Sequence, residues 1–214
     1  MSISDLITSL SQESPRPSLK PPGYFAARLG TVLAAYGIGI QFFLQLRTDL
    51  LVQFSRPMFT LEILLLILLT VFSATAALLV MYPDVYQKPR LLKAPYIVFV
   101  ALGAFMLGQL LLPHDTRMVI LPLDDGQAME CTICIASVAL LPSALILALQ
   151  LKGASIHPWR AGSFAILTAT GIGCLTLRLS EANDSLLHLV VWHYIPTLFF
   201  AALGAFIGRL VLRW

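Results

Sequence analysis

The chain has 214 residues, 58% of them hydrophobic and only 12% charged, with a mean hydropathy of +0.84. Soluble domains carry about twice that share of charge, so polar side chains cannot cover a globule here and the bilayer is the expected solvent. A net charge of +3, scattered along the chain, is too small to suggest a nucleic-acid footprint, and three cysteines are too few for a disulfide framework.

The first element is polar, MSISDLITSLSQESPRPSLKPP. Within it Ile3, Leu6, Ile7 and Leu10 recur at i, i+3, i+4 and i+7, which predicts one apolar stripe on a short helix. Ser2 is placed to cap that helix, and Asp5 in its first turn suits the helix dipole. Pro15, Pro17, Pro21 and Pro22 then predict a stiff, extended connection. A helix of about ten residues is marginal alone in water and gains stability when its stripe lies in a partner's groove. The alternatives are a place on the membrane surface, which the sparse positive charge disfavours, or packing against the protein's own loops. The segment lacks the basic start and apolar core of a cleavable signal peptide, so insertion is expected to rely on the helices that follow.

Six apolar runs are long enough to cross a bilayer: about Tyr24–Leu46, Phe59–Met81, Ala94–Leu112, Cys131–Leu151, Ala161–Leu177 and Leu186–Leu210. The fifth is the weakest, broken by Thr168, Thr170, Gly171 and Gly173. Between the runs lie turn signals such as Tyr82-Pro83-Asp84, Lys88-Pro89-Arg90 and His157-Pro158. Gly204 and Gly208 form a G-x-x-x-G that allows close helix packing, and Pro142 and Pro196 predict kinks in the fourth and sixth runs. The expected fold is therefore all-α and integral to the membrane, with a cytoplasmic segment at 1–23 and a six-helix bundle at 24–214.

Lys and Arg set the expected orientation. With the N-terminus inside, Arg16, Lys20, Arg28, Lys88, Arg90, Lys93, Lys152, Arg160, Arg209 and Arg213 face the cytoplasm, and only Arg47, Arg56, Arg117 and Arg178 lie outside. Both termini are then cytoplasmic.

Catalytic signatures are lacking: there is no G-x-S-x-G, no glycine-rich phosphate loop and no H-E-x-x-H, so no enzyme is expected. His188 and His193 are five apart, about 140° apart on an α-helix, a poor basis for a metal shared by that pair alone. Glu62 and Arg209 fall near the ends of their runs, where they are expected to snorkel. No run has a charge at its centre, which disfavours proton-coupled transport. A small channel or transporter stays as the alternative, with Gln109, Thr168 and Thr170 as the available lining. Cys131 and Cys134 share a helical face at the outer start of the fourth run, and Cys174 lies in the outer half of the fifth. Such thiols are candidates for meeting oxidants or soft metals, or else small apolar packing residues.

Asp5-Leu6-Ile7…Leu10, the proline-rich lead, Lys152-Gly153-Ala154…Pro158…Ala161-Gly162, Asp184-Ser185, Val191-Trp192, Gly204-Ala205…Gly208 and the ending Leu212-Arg213-Trp214 occur in this order. With them the chain resembles the NrsF family of bacterial inner-membrane anti-sigma factors over nearly its whole length. The resemblance implies a regulator whose N-terminal segment, with Ile3, Asp5, Leu6, Ile7 and Leu10, holds an extracytoplasmic-function sigma factor in the cytoplasm. Periplasmic cysteines would sense heavy metals or oxidative stress and release it. Cys131 matches the first of the family's two sensing cysteines. The second is expected about four residues before the Asp184-Ser185 pair, where this chain has Glu181; Cys174 lies seven residues earlier. Cys131 and Glu181 cannot form a disulfide, but thiolate and carboxylate could hold a regulatory metal such as zinc or copper. Cys131 with Cys134 is poorly placed for a disulfide, and Cys131 with Cys174 requires the fourth and fifth helices to touch near their outer ends.

Overall fold

The computed structural model describes residues 3–5, 8, 21–111 and 128–212. Among them all regular structure is helical, and six helices are long and apolar enough to cross a membrane: α1 (Pro22–Leu44), α2 (Pro57–Leu79), α3 (Pro89–Leu111), α4 (Ala128–Gln150), α5 (Pro158–Ser180) and α6 (Leu186–Val211). A five-residue helix, Leu50–Phe54, joins α1 to α2, and a 3-10 turn, Pro83–Gln87, joins α2 to α3. Four of the six begin on a proline. Proline's missing N–H costs nothing in the first turn, and its fixed φ suits a helix start. Pro89 and Pro158, expected in breaks, are therefore starts, and α3 and α5 begin five and three residues before Ala94 and Ala161.

Helix α5, the weakest run by hydropathy, is the central helix of the bundle: 72% of its apolar window is buried, against 11% for α1. It packs against α2, α4 and α6. Its glycines, alanines and threonines are what a helix needs when protein rather than lipid surrounds it. Gly162 of α5 crosses Gly204 and Gly208 of α6 so closely that a Cβ on Gly162 would collide with the Gly204 carbonyl, and one on Gly208 with the Pro158 carbonyl. The G-x-x-x-G thus joins these two helices.

The end of the bundle where α2 finishes and α5 starts is locked. The buried amide of Gln150 donates to the Ala77 and Ala161 carbonyls at 3.0 Å each, and Ala154 N–H donates to Met81 O at 2.9 Å. Helix α1 is held far more lightly, with only Leu29 and Leu33 buried. At its end Gln45 has φ 59° and ψ 147°, a backbone region that side chains avoid. Gln41 fixes this end by donating to Ser180 Oγ at 2.6 Å and to Gln45 O at 3.3 Å.

In the N-terminal segment Ile3, Ser4, Asp5 and Thr8 are helical and exposed, and Thr8 Oγ1 donates to Ser4 O. Leu6, Ile7 and Leu10 lie outside the described residues.

Candidate metal centre

Helix α6 does not start as a regular α-helix. After one turn it widens into a π-helix, Leu189–Tyr194, just before Pro196. Pro196 has no N–H to give the Trp192 carbonyl four residues back, and the Thr132 hydroxyl of α4 donates there instead at 2.7 Å. Thr197 Oγ1 likewise donates to His193 O at 2.7 Å. A π turn bonds i to i+5 and brings residues five apart onto one face. His188 and His193 consequently stand with ring centroids 5.5 Å apart, which corrects the separation an α-helix predicts.

Glu181, in the α5–α6 connection, reaches both rings. Its Oε1 lies 3.0 Å from His188 Nε2 and its Oε2 lies 3.1 Å from His193 Nε2. Cys131, at the start of α4, donates its thiol to Glu181 Oε1 at 3.6 Å. Sulfur, carboxylate oxygen and two imidazole nitrogens thus lie within 4.8 Å of one another. His193 is fully buried, and Cys131 and His188 are nearly so. Although His193 Nε2 and Glu181 Oε2 are close, their alignment is not that of a hydrogen bond, and neither ring nitrogen of His193 has a bonded partner among the described residues. Burial would raise the Glu181 carboxyl, but the close approach of His193, the nearby His188 and the bond from the Cys131 thiol outweigh it. The carboxyl is held below its ordinary value and stays an anion.

The structure brings Cys131 and Glu181 together and leaves the other cysteines outside this group. Cys174 is buried, with its sulfur 3.2 Å from Thr197 Oγ1 and 3.8 Å from His193 O. Cys134 is half-buried against the core. Among the described residues no disulfide joins them, although α4 and α5 do pack together. Sequence reasoning missed His188 and His193 as members of the group; the signal was Pro196, three residues after the second.

A second polar group adjoins the first. Arg178, expected in a loop, is buried in the last turn of α5, and Glu62 does not snorkel: Arg178 Nε donates to Glu62 Oε1 at 3.0 Å. In an apolar surround, burying two opposite charges together is the alternative to exposing either. Tyr194 OH also donates to Glu62 Oε1, at 2.5 Å, and the Arg178 guanidinium lies 4.8 Å from the Phe59 ring centre. Arg178 Nη1 donates to Asp184 at 2.8 Å. Asp184 in turn accepts from Arg47 through both oxygens, at 2.9 and 3.0 Å, and Arg47 also pairs with Asp49 at 2.6 and 2.9 Å. These pairs raise Arg47 and hold Asp49 below the usual carboxylate range. Asp184 is likewise lowered: its burial works the other way, and its bonds to Arg47 and Arg178 overcome it.

The polar groups that a channel would need along its lining are engaged within their own helices. Thr168 and Thr170 donate to carbonyls of their own helix, Phe164 O and Ile166 O, and Gln109 contacts the Met106 sulfur.

No curated protein and no solved structure shows a significant match to the chain. The family described as NrsF, negative regulator of sigma F, matches residues 10–214, which spans the six helices and both polar groups. On that match the chain belongs to the family of negative regulators of sigma F.

Proposed function

We propose that the protein is an anti-sigma factor of the bacterial inner membrane. It holds an extracytoplasmic-function sigma factor through its cytoplasmic N-terminal segment and releases it when a metal or oxidative signal reaches the α5–α6 end, on the periplasmic side. Family membership supports negative regulation of a sigma factor, and the excess of Lys and Arg on one side supports the orientation. Its role is regulation and not catalysis.

The observation that carries the mechanism is that one connection, residues 181–185, serves two purposes. Glu181 belongs to the Cys131–His188–His193 group, and Asp184, three residues on, grips Arg47 at the end of α1. The other end of α1 leads into residues 1–21. Helix α1 buries little of itself, and a cavity of about 450 Å³ lined by Leu33, Gly37, Ile67, Val71 and Ile172 lies beside it. Such a helix can shift without repacking the locked α2–α5 end. A signal at Glu181 thus changes the hold of Asp184 on Arg47, and α1 carries the change to the sigma-binding segment. Coupling of this kind typically amounts to about 1–3 kcal/mol, or roughly 5–150-fold in affinity.

The test is a reporter driven by the sigma factor in cells carrying the full-length protein. Replacing Leu6→Asp and Ile7→Asp together should leave the reporter fully active without any signal. Continued full repression by that membrane-inserted variant rejects the N-terminal assignment.

A further inference from the structure

We propose that Cys131, Glu181, His188 and His193 form one four-coordinate site for a divalent cation of the zinc class. The binding assignment stands on geometry alone; its use as the signal rests on the function proposed above. The signal is then read by coordination and not by a disulfide, because the group contains a single sulfur.

The donor set favours this ion. Imidazole nitrogen, thiolate and carboxylate are the ordinary ligands of zinc, and four of them fill a tetrahedral site. With metal–nitrogen and metal–oxygen distances of about 2.0–2.2 Å and metal–sulfur of about 2.3 Å, tetrahedral donors stand roughly 3.3–3.7 Å apart. Here one Glu181 oxygen lies 3.0 Å from His188 Nε2 and 3.6 Å from Cys131 Sγ, the other lies 3.1 Å from His193 Nε2, and one ligand atom from each residue falls within 4.8 Å of the rest. Closure around an ion therefore draws the widest pair together by roughly 1.1–1.5 Å, about half of it from each side. Calcium and magnesium want six or more oxygens, and monovalent copper wants more than one soft sulfur.

Charge and hydrogen bonding point the same way. A fully buried imidazole with both nitrogens unbonded is costly in the absence of a ligand, and His193 Nε2 faces the carboxylate without hydrogen-bond alignment. On coordination the Cys131 S–H proton passes to solvent, the imidazoles bind as neutral rings, and thiolate and carboxylate together balance the two charges of the ion. Supporting bonds hold the donors in place. Thr132, next to Cys131, ties α4 to the π turn through Trp192 O, and Thr197 holds His193 O.

The experiment uses purified full-length protein in detergent micelles. Zinc is titrated by calorimetry against a competing chelator, and Co(II) serves as the spectroscopic probe. One zinc per chain is expected, and Co(II) should give the visible bands of a four-coordinate ion with a thiolate charge-transfer band in the near ultraviolet. Cys131→Ser should remove the charge-transfer band, and His193→Gln should weaken zinc binding by ~100-fold or more, since even supporting residues commonly cost 10–100-fold. Cys134→Ser and Cys174→Ser should keep stoichiometry and spectrum. No zinc binding, a six-coordinate Co(II) spectrum, or a charge-transfer band lost with Cys174 instead of Cys131 would overturn the assignment. Should His193→Gln fail to fold, Cys131→Ser and the two control cysteines still decide. The Leu6→Asp, Ile7→Asp variant should bind zinc normally; if it binds zinc yet still represses, the functional reading fails and the metal site stands.

Discussion

The buried pair of Glu62 and Arg178 allows a quantitative test of how the bundle is held. Their side chains are 5% and 4% exposed. Arg178→Met leaves the Glu62 carboxylate buried with only the Tyr194 hydroxyl, and removing one partner of a buried pair costs about 3–5 kcal/mol. Glu62→Met leaves Arg178 a remaining bond to Asp184, which is one-third exposed, so a smaller loss of about 2–4 kcal/mol is expected. In the double variant neither charge is stranded. What remains is the Tyr194 hydroxyl without its acceptor and Asp184 without one of its two arginines, about 2–4 kcal/mol together. The singles then sum to about 5–9 kcal/mol against about 2–4 for the double, a coupling centred near ~4 kcal/mol. Unfolding free energies in mixed micelles, measured for all four proteins, provide the cycle. Additivity within ~0.5 kcal/mol would refute the claim that the two charges are buried against each other.

Three further outcomes follow from other parts of the molecule. Gly208→Val drives a side chain into the Pro158 carbonyl and should cost ~1–3 kcal/mol or more in the same unfolding assay, whereas Gly108→Ala, with nothing within 4 Å of its added Cβ, should be neutral. Arg47→Met removes the grip of Asp184 on α1 and should raise basal sigma-dependent transcription several-fold; a reporter with unchanged basal and induced levels removes this pair from the route. The lowered carboxyl of Asp184 contributes stability that is complete above its unfolded-state value of about 3.9 and is lost as pH falls through the lower folded-state value. The melting midpoint should therefore hold steady from neutral pH to about pH 5 and fall below about pH 4, and Asp184→Asn should flatten that acid limb.

Hydropathy was enough to place six helices, because length and apolar content decide insertion almost alone. The G-x-x-x-G was legible for the same reason that it works, since small residues four apart mark a surface that another backbone touches. Helix starts were less legible, because proline reads as a stop until its place in the first turn is known. Helix α5 was underrated because hydropathy scores what lipid tolerates, and a helix enclosed by protein is free to carry threonine, glycine and even Arg178. The pairing of Cys131 with Glu181 was carried by the family's spacing. The pairing of His188 with His193 was not, because angular reasoning assumes 3.6 residues per turn. One missing N–H at Pro196 ends that assumption, and the wider turn puts both rings on the side of Glu181.

In the proposed mechanism, the distances involved make the coupling economical. Three residues from Glu181 to Asp184 span at most about 10 Å, and the 23 residues of α1 make a rod of about 35 Å. A shift of under an ångström at the metal-binding group need travel only one short connection before it reaches a rigid element that crosses the whole bundle. That element is also held under strain where it is gripped. Gln45, two residues before Arg47, has φ 59°; Gln41 donates to its carbonyl and to Ser180 Oγ, and Arg47 pairs with Asp49 and Asp184 just beyond it. Such a backbone stores on the order of 1–3 kcal/mol. In the proposed mechanism, loosening the grip releases part of that energy, which is of the size that an allosteric coupling requires.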